Sequence, residues 1–200
     1  LSLRRQRQMC IRDRLPALGL GAELPETGLM HQPPRPRHAP LLDRTVLQRS
    51  YLFLGLLEAG FAMGAYLLVW HQAGVDFREL QQLTPQLLHH NAAPSLQALQ
   101  LQASSAAFCT IVLSQVGVLL ACRSEQRSGL RMLLVPNPLL WLGVLSEFVV
   151  LAALLRLPPL AHVFSLVSIP APWFVLMASA PLLILLADRW RKQDASWEAP

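Results

Sequence analysis

Long, uninterrupted apolar stretches dominate this chain, and polar residues gather between them. Four stretches invite comparison with a bilayer: 51–70, 103–122, 138–157 and 171–188. The first carries Glu58 as its one formal charge, and the second carries none. Glu147 and Arg156 interrupt the third. The fourth is uncharged until it closes on Asp188-Arg189-Trp190-Arg191-Lys192. A soluble core helix shows a polar stripe along one side, and none of these stretches has one. Each approximates the ~20 apolar residues needed to cross a hydrocarbon core. The pattern predicts an all-α integral membrane bundle of four transmembrane helices.

The intervening segments read differently. Residues 15–50 are Pro- and Arg-rich, centred on "QPPRPRHAPLLDR", and read as a loop; residues 193–200 form a tail. Segment 71–102 mixes short amphipathic pieces with breakers, and His89-His90 falls there without a ligand partner at useful spacing. "PPLAHVFSLVSIP", 158–170, is apolar but too short to span, so an interfacial or re-entrant course is expected. Pro181 removes a helical hydrogen bond and should kink the fourth span. Gly60 and Gly64, four residues apart, suit close helix packing around Glu58.

Composition supports this reading. Of 200 residues, 53% are apolar and 14% charged, well under the quarter typical of soluble domains. The net charge of +5 sorts by side. Nine Arg precede the first span, Arg123, Arg127 and Arg131 follow the second, and Arg189, Arg191 and Lys192 close the fourth. The positive-inside rule then places both termini and the 123–136 loop in the cytoplasm, with the bacterial plasma membrane as the expected location. A nucleic-acid partner is not indicated, because no aromatic-basic interleaving is present. Cys109 and Cys122 lie 13 residues apart on one helix, roughly 20 Å at the helical rise, beyond disulfide reach.

The first residues stand apart. "RRQRQMCIRDR" is Arg-dense and aperiodic, and Met9-Cys10-Ile11-Arg12-Asp13 resembles translated transposase-adapter DNA. Residues 1–14 are therefore expected to be non-native or disordered, and the chain to be a fragment.

Three blocks carry a family resemblance. "LPALGLGAELPETGLMHQPPRPR", 15–37, resembles the end of the sixth membrane helix and the next cytosolic loop of P-type cation-transporting ATPases. "QASSAAFCTIVLSQVGVLLACRSEQRSGLRMLLVPNPLLWLGVLSEF", 102–148, resembles the eighth helix, its Cys-Arg-Ser-Glu-like exit, a short loop and the ninth helix. In that loop Val135-Pro136-Asn137 stands where the family has a Phe-Ser-Asn-like turn. "APWFVLMASAPLLILLADRWRK", 171–192, is similar to the tenth helix and its cytosolic end. The resemblance covers almost all of 15–192 and implies helices seven to ten of a ten-helix, calcium or sodium-potassium pump-like protein.

It also implies a division of labour. The Asp-Lys-Thr-Gly-Thr phosphorylation motif is absent from this sequence. ATP and Mg would act elsewhere in the parent pump, and this chain alone would not be an enzyme. Its partners would be the lipid bilayer and the remaining helices and cytosolic domains of that pump. A complete four-span scaffold or permease subunit is the alternative function.

Four residues are candidate cation ligands. Gln115 occupies the eighth-helix position where relatives carry Glu or Gln, and its amide oxygen suits a hard cation; Val118 departs from the Asn many relatives have shortly after it. Glu147 matches a ninth-helix acid of part of the family. Glu58 is an acid inside a span, where ionisable groups usually face a partner or cavity. For Gln115, Glu147 and Glu58, an interhelical hydrogen bond is the alternative role. Asp13 aligns in spacing with the sixth-helix acid, but Arg12 and Arg14 flank it where the family has other residues.

Overall fold

The computed structural model describes residues 15–23, 44–89, 93–124 and 127–195. All elements among them are helical. Helix α1 is Leu15–Gly21. Helix α2, Arg44–Leu47, runs through a π-helical stretch, Gln48–Gly55, into α3, Leu56–Gln72. Then come α4 (Phe77–Leu88), α5 (Pro94–Ala121), α6 (Gly129–Met132), α7 (Pro138–Arg156) and α8 (Pro158–Val163). The last two are α9 (Ala171–Met177) and α10 (Ala180–Ala195). Among the described residues, four helical spans are long and apolar enough to cross a membrane: Gln48–Gln72, Pro94–Ala121, Pro138–Arg156 and Pro172–Gln193.

The second span is the hub. It is 56% buried across its most apolar window, against 17–28% for the other three. Its sequence explains this role. Ala103, Ala106, Thr110, Ser114, Gly117 and Ala121 recur every three or four residues and are all buried. Lipid is as apolar as any side chain, so helices associate where small residues let backbones approach and dispersion contacts accumulate. Gly117 marks the closest approach: a Cβ there would sit 2.7 Å from the Cα of Pro181. The third span shows the complementary pattern, with Leu142, Leu145, Phe148, Val149 and Val150 exposed, as a bilayer solvent permits.

Local signals set the ends. Asn137 caps α7, its Oδ1 accepting from the Leu140 amide at 3.1 Å, and Pro138 fills the first helical position. Both choices satisfy or remove amides that the helix leaves unbonded. The kink expected at Pro181 is a break: α9 ends at Met177 and α10 restarts at Ala180, with Pro181 in the first turn. There its missing N–H costs no helical bond.

Several expectations shift. Helix begins at Arg44, inside the segment read as loop, and the second span starts at Pro94, nine residues before Ala103. Its extension, "PSLQALQLQ", is polar enough to escape a hydropathy window yet rich in helix formers. The fourth helix likewise continues past 188 to Ala195. A Cβ placed at Gly60 or Gly64 would meet nothing within 4 Å among the described residues. With Thr110, Trp173 and Ala180 they line a groove of about 300 Å³ instead. Segment 158–170 does not cross; α8 is followed by a return whose Val167 amide donates to the Ser105 hydroxyl at 2.9 Å. Residues 1–14 lie outside the described residues.

Two buried clusters result. One gathers Val69, Trp70, Leu80, Leu87, Ala103, Ala106 and Cys109, with Leu151 and Met177. The other gathers Leu54, Leu120, Ala121, Leu140, Val144, Ile184 and Leu185. The second lies where the first and third spans begin and the second and fourth end.

Candidate functional site

The polar machinery of the described residues concentrates at that second end. Two interlocked clasps form it, one on Arg123 and one on Asp188.

Arg123 follows the second span, and its side chain is fully buried. Its Nε donates to Glu23 Oε2 at 2.9 Å and its Nη2 to Oε1 at 2.8 Å. This two-pronged geometry matches a planar guanidinium to a carboxylate. The remaining donors reach the carbonyls of Met132 and Val135. Asn137 completes the clasp, its Nδ2 donating to Glu23 Oε2 and to the Gly19 carbonyl, both at 2.8 Å. Glu23 is thereby held below the usual carboxylate range, chiefly by the Arg123 hydrogen bond and against the opposing effect of burial. The clasp thus ties α1, the α5–α7 connection and the start of α7. Directly beneath it, Gly19 presses on Leu140, where a Cβ would fall 2.6 Å from the Leu140 Cα.

Asp188, also fully buried, organises the second clasp. Lys192 Nζ lies 2.6 Å from its Oδ2, while Arg191 Nη2 and Arg49 Nη2 lie 3.1 and 3.5 Å from Oδ1. Lys192 also donates to the carbonyls of Ala121, Ser124 and Arg127 at 3.0, 2.8 and 3.1 Å. Arg49 donates to the Ala121 carbonyl at 2.9 Å. A helix C-terminus leaves carbonyls without partners and carries partial negative charge. Two cations from the first and fourth spans therefore cap the second. Gly129 permits the approach of α6, facing Leu185 and the Leu120 carbonyl.

The four ligand candidates are not among these groups. Gln115 is exposed on the second span. Glu147 is half-buried, and its Oε2 is buried without a hydrogen-bond partner among the described residues. Glu58 is half-buried. Asp13 lies outside the described residues. Among those residues no three His, Cys, Asp or Glu side chains gather as a metal would require. His89 is exposed at the end of α4, and Cys109 is buried while Cys122 is exposed.

The clasps escape sequence reading for a simple reason. Glu23, Arg123 and Asn137 each stand inside a block that carries the family resemblance, yet 100 and 114 residues separate Glu23 from its partners. Asp188 reads as one acid in a basic helix end. Its burial is a tertiary property.

Comparison with known proteins agrees with this architecture. The family "Cation transporting ATPase, C-terminus" matches residues 10–193. The chain is 26% identical over 196 residues to potassium-transporting ATPase alpha chain 2 of Oryctolagus cuniculus, covering 90% of this chain and 18% of that protein. It is 26% identical over 202 residues to the same-named protein of Rattus norvegicus, covering 90% and 19%. The chain thus spans about a fifth of the length of the curated relatives it matches. With four apolar helices, a helical fold throughout the described residues and a match across nearly its whole length, the chain belongs to the cation transporting ATPase C-terminus family.

Proposed function

We propose that this chain is the bundle that braces the ion-translocating helices of an ATP-driven cation pump, in the role of helices seven to ten. One observation carries the reading. The hub helix is buried along its small-residue stripe, yet Ser104, Ile111 and Gln115 are exposed on it. Their spacings of seven and four place them on one helical face. Covered by further helices of the same pump, that face would present the Gln115 amide to a cation path. An oxygen donor without charge suits such a place.

In this reading ATP hydrolysis, with its Mg, belongs to the portions of the pump that carry the phosphorylation motif, and the chain's contribution is positional. Glu147, whose buried Oε2 has no hydrogen-bond partner among the described residues, and Glu58 are secondary candidates along the path. In this reading both termini face the cytoplasm, with the clasps on the same side, as the basic ends of the spans favour. Potassium, named in the relatives, is the first cation to test.

The test joins the chain to the upstream part of its own gene and measures cation-dependent phosphoenzyme formation. Gln115→Ala should weaken apparent cation affinity about ten-fold, equivalent to ~1.4 kcal/mol, with protein level unchanged. Unchanged affinity removes Gln115 from the path. Absence of any cation-dependent phosphoenzyme in the wild-type protein removes the pump reading.

A further inference from the structure

The Asp188 clasp contains more positive charge than it neutralises. Arg49, Arg191 and Lys192 surround a single carboxylate, so three cations against one anion leave a surplus of +2. Lys192 is saturated by its carboxylate and three carbonyls. The two arginines are not. The Nε atoms of Arg49 and Arg191 are both buried without a hydrogen-bond partner among the described residues. Arg191 also rests over the Phe53 ring, 5.6 Å from its centroid, which fixes its guanidinium between the first and fourth spans. Those Nε atoms are closed off, but the side chains of Arg49 and Arg191 remain 15% and 31% exposed, so an anionic ligand that reaches them offsets the surplus charge.

The position favours one kind of anion. The cluster sits where the first span begins and the fourth ends. Leu182, Leu183 and Leu186 are exposed on the fourth span within the preceding nine residues, as an acyl chain would require. Tyr51 and Trp190, both strongly exposed on the same two helices, are the residue types that mark headgroup level. We infer that Arg49 and Arg191 form a binding site for the phosphate of one anionic phospholipid, seated between the first and fourth spans. Basic pockets between membrane helices recognise such headgroups. Bound there, the phosphodiester supplies acceptors for the two guanidinium groups and halves the surplus charge.

The experiment titrates the detergent-solubilised full chain with phosphatidylglycerol or phosphatidylcholine and counts retained lipid by native mass spectrometry. One phosphatidylglycerol should be retained in preference to phosphatidylcholine. Arg191→Gln should weaken that retention about five-fold, the scale expected for one basic residue at an anionic surface. Arg189→Gln, an equal charge loss at an exposed neighbouring position, should leave it nearly unchanged. Equal losses in both variants would show diffuse attraction and overturn the site, as would equal retention of the two lipids. Displacement of the lipid by millimolar inorganic phosphate would overturn the lipid assignment in favour of a soluble anion.

A measurement on the wild-type protein guards against misfolding of Arg191→Gln. Cys122 is exposed and within electrostatic reach of Arg49, Asp188, Arg191 and Lys192. Its maleimide labelling should slow in phosphatidylglycerol bicelles relative to phosphatidylcholine bicelles. Equal rates would overturn the proposal.

Discussion

The same four spans are held together differently at their two ends. At one end Glu23, Arg49, Arg123, Asp188, Arg191 and Lys192 pair, and Arg49, Arg123 and Lys192 also donate to backbone carbonyls, tying the first, second and fourth spans to the connection that leads into the third. At the other, Trp70, Leu80, Leu87, Ala103 and Cys109 pack as an apolar cluster, tied by the Ser105–Val167 hydrogen bond. Where apolar packing joins membrane spans it has no hydrophobic drive behind it and depends on shape. Ion pairs depend on which partner is present, and removing one leaves the other stranded. One end therefore tolerates volume-conserving exchange, while the other resists any loss of charge.

The sharpest test removes the pivot of the charged end. Asp188→Leu should destabilise the bundle by about 3–5 kcal/mol, because Arg49 and Lys192 lose their buried counter-ion. Thermal unfolding in detergent reads this as a large fall in midpoint, and an unchanged midpoint would erase the contrast between the ends. Arg123→Met comes next, at about 2–3 kcal/mol for a charged, two-pronged contact. Gly117→Leu probes packing alone and should cost about 1–3 kcal/mol by forcing the second span off Pro181. Ser105→Ala should be smallest, about 1 kcal/mol. Its effect should be local: hydrogen exchange should quicken in 164–170 and not around Asn137.

The two ends should also differ in acid. Glu23 is held below its ordinary value of 4.5. A lowered carboxylate stabilises fully above that value, and the contribution is lost as pH falls through the lowered one. Stability should therefore decline below about pH 4.5, and Glu23→Gln should flatten that part of the profile while lowering the plateau above it. An acid limb unaltered by Glu23→Gln would show that the clasp does not govern it.

Legibility followed the range of the interactions. The third span begins at Pro138 as read, because its stop and start signals, Asn137 and Pro138, are adjacent. The second begins early because Gln97, Gln100 and Gln102 favour helix while lowering hydropathy. Pro181 announced a disturbance, but not the close approach of its backbone to Gly117, which only the tertiary structure shows. Among the described residues nothing packs against Gly60 and Gly64, because small residues permit an approach without supplying the neighbour. The clasps were illegible as units, since Glu23 and Arg123 stand 100 residues apart and Lys192 and Ala121 stand 71 apart, separations that leave no periodic trace.

Asn137 has a consequence for how the chain is made. Its Oδ1 opens the third span while its Nδ2 holds Gly19 and Glu23, 118 and 114 residues earlier. During synthesis the early segment must wait, its carboxylate unclaimed, until Arg123 and then Asn137 emerge from the ribosome. The side chain that starts one helix thus also anchors another, so the start of the third span and the position of α1 are fixed together.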